Sequence, residues 1–239
     1  VRGTANLLAA ARAVGVRRVV HTSSVVAVGA AREPRALDET AAWDLGRLRV
    51  PYVTTKRQAE EAALAAAADD LEVVVVNPSS IIGPDDFSGS AFGTLCRRFW
   101  RGRIPFHFGG GNNFVDVRDV AAGMLAAAER GHSGRRYLLT GHNLPYRAFF
   151  TELARLSPRP VFRLEVPAAL GTLGALLNQR LRRPGSKSRS YLTPGQARLL
   201  ALYFYFDHAR SRRELGYAPR PLRQSLTDTR RFWMGRRSA

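Results

Sequence analysis

Tyr52 and Lys56 stand four residues apart in Tyr52-Val53-Thr54-Thr55-Lys56. On a helix that spacing puts both side chains on one face. A phenol has a reference pKa near ~10, too high for a base at neutral pH. An ammonium beside it favours the phenolate, and lowering a phenol by ~3 units takes about 4 kcal/mol. A lysine in open water falls short of that, whereas one in a partly dry cleft comes closer. Alone, Tyr-x-x-x-Lys is a weak signal, and a pair on a solvated helix surface is the competing reading. Context strengthens the chemical one. Thr22-Ser23-Ser24 lies upstream at the end of an expected strand, and Asn77-Pro78-Ser79-Ser80 ends another. In an open α/β sheet, ligands bind outside the carboxyl ends of the strands. A serine hydroxyl there can donate to a carbonyl oxygen while Tyr52 moves the proton.

The elements that must position these groups follow from the pattern. Residues 17–22 and 71–76 are β-branched runs that read as strands, the second apolar enough for a buried parallel strand. Leu7, Leu8, Ala11 and Val14 predict an apolar helix face closed by Gly15. Residues 29–48 read as a loop. Pro51 opens a helix at the first-turn position and runs it to about Asp69. Ala59 and Ala63 continue the Tyr52–Lys56 face and allow close packing, with Arg57 and Glu61 opposite. Further helices are expected over 90–100, 117–130 and 145–156, the last burying Phe149, Phe150 and Leu153. Residues 106–115 read as strand, turn, strand, and 136–140 and 161–166 as strands. The remainder is expected to be helical apart from breaks. Strands alternate with helices through the first 140 residues, so the fold class is α/β, a parallel sheet with helices on both faces.

The chain has 239 residues, of which 45% are apolar, enough for a real core. That excludes a disordered or collagen-like chain. Cys96 is the single cysteine, so no intramolecular disulfide forms. The net charge is +18, carried almost wholly by arginine, since Lys56 and Lys187 are the only lysines. In an alanine- and arginine-rich chain this reads as a solvated basic surface reflecting genome composition. The densest cluster, Arg180, Arg182, Arg183, Lys187 and Arg189, lacks the interleaved aromatics of a single-strand binding surface. No specific nucleic-acid partner is expected; a peripheral membrane contact and a homodimer are both compatible with the sequence. No run of ~18 apolar residues and no signal peptide is present, which sets the expectation of a cytoplasmic protein. The five histidines show no metal-ligand spacing with Cys96 or with one another. The aromatic run 199–206 reads first as core, and second as a pocket wall or dimer contact.

The order of motifs resembles the extended short-chain dehydrogenase/reductases, in the NAD-dependent epimerase/dehydratase group. They stand as Val1-Arg2-Gly3-Thr4-Ala5-Asn6-Leu7-Leu8, Val19-Val20-His21-Thr22-Ser23-Ser24 and Tyr52-Val53-Thr54-Thr55-Lys56. They continue with Asn77-Pro78-Ser79-Ser80-Ile81-Ile82-Gly83-Pro84, Asn113-Phe114-Val115-Asp116-Val117-Arg118-Asp119-Val120-Ala121, Phe206-Asp207 and Arg213-Glu214-Leu215-Gly216-Tyr217-Ala218-Pro219. Within the group the chain looks most like dihydroflavonol-reductase-like and hopanoid-associated sugar-epimerase-like members. The resemblance implies the C-terminal part of a Rossmann-type doubly wound sheet plus a smaller, mostly helical substrate-binding region. Residues 1–84 and 113–141 would form the former, 85–112 and 142–239 the latter. It implies a nicotinamide cofactor, NAD or NADP, whose positively charged ring adds to the effect of Lys56 on Tyr52. Tyr52 would be the acid/base, Lys56 its partner and ribose ligand, and Ser24 the catalytic serine. Thr22, Pro78, Ser79 and Ser80 would line the nicotinamide. Phe114, Asp116 and Arg118 match a stretch that closes the substrate side, and fixing the turn into the next helix is the alternative role for Asp116 and Asp119. Asp38-Glu39-Thr40 resembles a loop near the substrate entrance.

One departure accompanies the match. The family's glycine-rich phosphate loop belongs about a hundred residues before position 1, and Gly109-Gly110-Gly111 does not replace it, since no helix N-terminus follows. The chain is therefore expected to be the C-terminal two-thirds of an enzyme, with weakened cofactor binding on its own. The expected activity is hydride and proton transfer through Ser24, Tyr52 and Lys56 on a sugar nucleotide or a small ketone or alcohol. A non-catalytic relative serving as a ligand-binding or interaction module is the alternative, and retention of all three residues argues against it.

Overall fold

A computed structural model describes residues 1–104, 106–157, 164–167, 170 and 193–235. The basic cluster 180–189, with the rest of 171–192, lies outside the described residues.

Strand β1 (Arg18–Thr22) pairs in parallel with β2 (Glu72–Pro78), and β2 with β6 (Arg136–Leu139). Val73, Val74, Val75 and Val76 of β2 are all fully buried, which is why the sequence is continuously apolar rather than alternating. Val73 and Val75 pack with Leu8 of helix α1 (Arg2–Ala13) and Ala63 of α2 (Pro51–Ala65). Val74 and Val76 face the other way, with Val120 and Ala127 of α4 (Val117–Arg130) and with Tyr137 and Leu139. Helices thus cover both faces, as the alternation of elements requires. Asp116 caps α4 by accepting the Arg118 N–H at 2.9 Å, and Gly131 ends it, so its span matches the sequence reading.

A second sheet is mixed. Strand β3 (Ser80–Ile82) pairs in parallel with β5 (Gly111–Asp116), which pairs antiparallel with β7 (His142–Pro145). Strands β4 (Phe106–Phe108) and β8 (Leu164–Val166) form a parallel pair of their own. A large aromatic core forms where α3 (Ala91–Trp100), α5 (Tyr146–Arg155) and α8 (Leu222–Gly235) meet β5. The C-terminal part of the chain also supplies α6 (Pro194–Leu200) and α7 (Ala209–Leu215). Between these two, Phe204 and Phe206 are buried beneath the 25–53 segment with Val25, Leu45 and Val53. Among the described residues, no helix is long and apolar enough to cross a membrane.

Two helices differ from the sequence reading, and the glycine run has a packing role. Only Leu8 of the expected α1 face is buried; Leu7 and Val14 are exposed. Helix α2 stops at Ala65 rather than near Asp69, because the Ala68–Leu71 bridge turns the chain into β2 despite good helix propensity. The Gly109–Gly111 run serves close packing: a Cβ on Gly110 would lie 2.6 Å from the Leu200 carbonyl oxygen, and one on Gly111 2.5 Å from the Tyr205 hydroxyl.

Candidate active site

The carboxyl end of β1 and the first two turns of α2 meet at one place. Pro51 sits in the first turn of α2, where its missing N–H costs nothing. Tyr52 follows and projects outward, 56% exposed. One turn later, Lys56 turns inward and its Nζ donates to the carbonyl oxygens of Thr22 at 3.2 Å and Ser23 at 3.5 Å. Burial lowers the Lys56 pKa from its ordinary value, and the negative charge of Glu60 works against that fall. The next residue after Ser23 is Ser24, which caps a short 3-10 helix (Val25–Ala27); its Oγ accepts the Val26 N–H at 3.4 Å. Ser24 keeps its own hydroxyl proton for another partner.

Ser24 and Tyr52 both line a cavity of about 420 Å³. Ser79 and Ser80, at the β2–β3 junction, line it too. Its remaining walls include Val26, Ile81, Phe92, Leu199, Leu200 and Phe204. The aromatic run therefore does two jobs: Phe204 is both core and cavity wall. Asn112 and Tyr146 also face the cavity and are joined by a 3.4 Å hydrogen bond from the Asn112 amide to the Tyr146 hydroxyl. Burial pushes the Tyr146 phenol up to about 12, so it is neutral at ordinary pH.

Other expected site residues fall elsewhere. Thr22 and Pro78 lie at the carboxyl ends of adjacent strands, outside the cavity wall. Ser79 spends its hydroxyl on the Asn113 side-chain oxygen at 2.6 Å. Phe114 is fully buried and stacked on Phe149 with ring centroids 3.7 Å apart, so it is a core residue and does not line the cavity. Arg118 is likewise not at the cavity: its guanidinium grips Asp116 at 2.8 Å and Asp228 at 2.9 Å, tying α4 to α8. Burial pushes the Asp116 carboxyl up, but the bonds from Arg118 outweigh it and hold the group below the usual carboxylate range. Asp119 holds Arg220 at 2.8 Å from both its backbone and its side chain. Asp38 closes a local turn onto Thr40, away from the cavity.

The sequence reading also passed over Glu60. This carboxylate is fully buried, pairs with Arg136 at 3.0 Å and accepts a short hydrogen bond from the Asn77 amide. The same amide nitrogen donates to the Ser24 carbonyl oxygen at 3.1 Å. Glu60 thus reaches the Ser24 loop through Asn77 and sits one turn from Lys56. Its position four residues after Lys56, next to the buried Ala59, was the available signal.

Residues 1–139 match the NAD dependent epimerase/dehydratase family, more than half of the chain. The chain belongs to that family. This epimerase/dehydratase chain is 34% identical over 232 residues to a protein named putative dihydroflavonol 4-reductase from Synechocystis, covering 95% of the chain and 67% of that protein. It is 36% identical to sterol demethylase protein B from Methylococcus capsulatus, covering 95% of the chain and 70% of that protein. The crystal structure of gox2253 superposes with a TM-score of 0.84 at 29% identity, covering 98% of the chain and 71% of that structure. Family membership makes the chain part of a nicotinamide-dependent oxidoreductase and epimerase family, with NAD or NADP as cofactor. The residues present suit such a group. Two of the three Lys56 ammonium protons are spent on strand-end carbonyls, which leaves one donor for a ribose hydroxyl beside the end of β1. The buried Ser23 Oγ at the same strand end has no hydrogen-bond partner among the described residues.

Proposed function

We propose that this chain carries the reaction centre of an NAD(P)-dependent oxidoreductase that interconverts a secondary alcohol and a ketone. The observation that carries this reading is that Ser24 and Tyr52 line one cavity while Lys56 anchors to the strand end beside Ser24. Tyr52 Oη takes the hydroxyl proton as the alcohol is oxidised, and returns it in reduction. Ser24 Oγ donates to the substrate oxygen, where charge builds in the transition state. Lys56, held by the Thr22 and Ser23 carbonyls, keeps a positive charge one turn from Tyr52 and offers its remaining proton to the cofactor ribose. A bound nicotinamide supplies the hydride acceptor or donor. Thr22 and Pro78, at the carboxyl ends of β1 and β2, and Ser79 and Ser80, at the β2–β3 junction, would form the floor under that ring.

The test is steady-state turnover of Tyr52→Phe in the protein that carries this chain, with NAD(P)⁺ and a secondary alcohol. Loss of a general acid/base lowers turnover by ~10²-fold or more. A phenylalanine variant with near-normal turnover removes Tyr52 from the mechanism.

A further inference from the structure

The carbonyl oxygens along residues 22–27 are held in turn by side chains from several elements. Lys56 takes those of Thr22 and Ser23, and the Asn77 amide, near the end of β2, takes that of Ser24 at 3.1 Å. Trp43 Nε1 takes that of Val26 at 2.9 Å, and the Arg57 guanidinium takes that of Ala27 at 3.0 Å. We infer that Glu60, acting through Asn77, is a positioning residue for Ser24 in the reaction; this rests on the function proposed above. Ser24 is where the chain passes from the end of β1 into the 3-10 helix. Its backbone is extended, and its carbonyl also accepts the Ala27 N–H at 2.9 Å, closing the first turn. What holds this carbonyl sets where the Ser24 hydroxyl stands in the cavity.

An asparagine amide offers a donor end and an acceptor end of nearly the same shape. Either could point at the Ser24 carbonyl, and only the donor end holds it. Glu60 decides between them. A carboxylate only accepts, and Glu60 Oε2 accepts from the same Asn77 nitrogen that donates to Ser24. Both hydrogens of that nitrogen are thereby spent. Turning the amide over would set its oxygen against a carboxylate and a carbonyl at once, so the orientation has one solution. Glu60 and Asn77 are both fully buried, and water does not compete for either bond. Arg136 supplies the counter-charge, 3.0 Å from Glu60 Oε1, and stands on the other side of β2 from β1. The side-chain cap of Ser24 is long by comparison, 3.4 Å from Oγ to the Val26 nitrogen. A hydroxyl that must meet a reacting oxygen tolerates little error, since a displacement of ~1 Å costs up to ~10²-fold in rate.

The experiment is a pair of double-mutant cycles in the protein that carries this chain. Steady-state oxidation of cyclohexanol with NAD⁺ or NADP⁺ is measured, and amide hydrogen exchange is followed on the same samples. Asn77→Ala leaves the Glu60–Arg136 pair in place, and Glu60→Gln keeps the volume while giving Asn77 a donor to face. Asn77→Ala is expected to lower kcat by ~10-fold, with KM changed by less than about two-fold. In a Ser24→Ala background the same change is expected to lower kcat by less than about two-fold, because the group it positions is gone. Glu60→Gln is expected to lower kcat by a few-fold in the parent and by less than about two-fold once Asn77 is alanine. Both variants are expected to speed exchange of the Ala27 and Val28 amides by ~10-fold. Unchanged kcat in Asn77→Ala overturns the inference, as does an undiminished loss in the Ser24→Ala background. A Glu60→Gln loss that is the same with Asn77 or alanine overturns the route through Asn77. If one variant does not fold, the cycle on the other decides. A parent that oxidises no cyclohexanol with either cofactor counts against the oxidoreductase reading, and exchange then decides this inference by itself. Faster exchange confined to residues 24–28 keeps the link from Glu60 to Ser24, and unchanged exchange there overturns it.

Discussion

Two polar networks among the described residues are each built around a buried carboxylate and an arginine. One joins Glu60, Arg136 and Asn77, with Lys56 one turn away on α2, and ends on the Ser24 backbone. The other joins Asp116, Arg118 and Asp228, with Asp119 and Arg220 beside it, and ends on helix α8 and the turn before it. Each holds a fully buried carboxylate, Glu60 in the first and Asp116 in the second. Only the first terminates on a residue that lines the cavity. A buried, well-paired charge therefore does not mark a reaction centre by itself. What distinguishes the two is where the chain of hydrogen bonds leads. The second network is a staple between α4 and α8, and its Arg118 is over a third exposed, whereas Arg136 of the first is mostly covered.

That contrast can be broken at several points. Glu60→Ala should cost the most, about 3–5 kcal/mol of folding stability, because it strands a largely buried Arg136 and frees Asn77; urea denaturation measures it. Ser24→Ala should cost about 0.5–2 kcal/mol of stability through the lost cap and lower turnover by ~10²-fold, about 2.7 kcal/mol, with little change in the Michaelis constant. A raised Michaelis constant at unchanged turnover would make Ser24 a binding residue instead. Arg118→Ala should cost about 1.5–3 kcal/mol of stability by removing charged hydrogen bonds, yet leave turnover of the folded enzyme within two-fold. The smallest effect concerns Lys56. With two lysines in the chain, ¹³C-lysine NMR resolves both titrations. Lys56 should lose its proton at lower pH than an ordinary lysine because of burial, and Glu60→Gln should lower that pH further by removing the opposing charge. An unchanged Lys56 titration in Glu60→Gln would detach Glu60 from the site.

Much of the scaffold was legible because local signals agreed. The span of α4 follows from Asp116 as its cap, and the buried β2 from an unbroken β-branched run. Strand β7 was missed because His142–Pro145 carries no strand pattern; it is held by pairing with β5 and by Asn143 bridging to the backbone of Phe206. That Tyr52 and Lys56 share one helix could be read from their spacing. The places of Phe114 and Arg118 could not. Their neighbours come from α5 and α8, far along the chain, and only the assembled core shows that Phe149 and Asp228 take them up. Glu60 was hidden for a related reason. Its partners Asn77 and Arg136 lie on β2 and β6, and a glutamate beside Glu61 on an alanine-rich helix looks like a solvated one until the sheet is beneath it.

The central claim is that the proton moves through Tyr52, at the cavity, and that the Arg118 network stands apart from the chemistry. The most direct measurement is the single-turnover rate of NAD(P)H formation from a secondary alcohol, in the protein that carries this chain and in its Tyr52→Phe and Arg118→Ala variants. The account predicts a rate lower by ~10²-fold or more in Tyr52→Phe and a rate within two-fold of the parent in Arg118→Ala. A Tyr52→Phe rate equal to the parent's, or an equally large loss in Arg118→Ala, would contradict it.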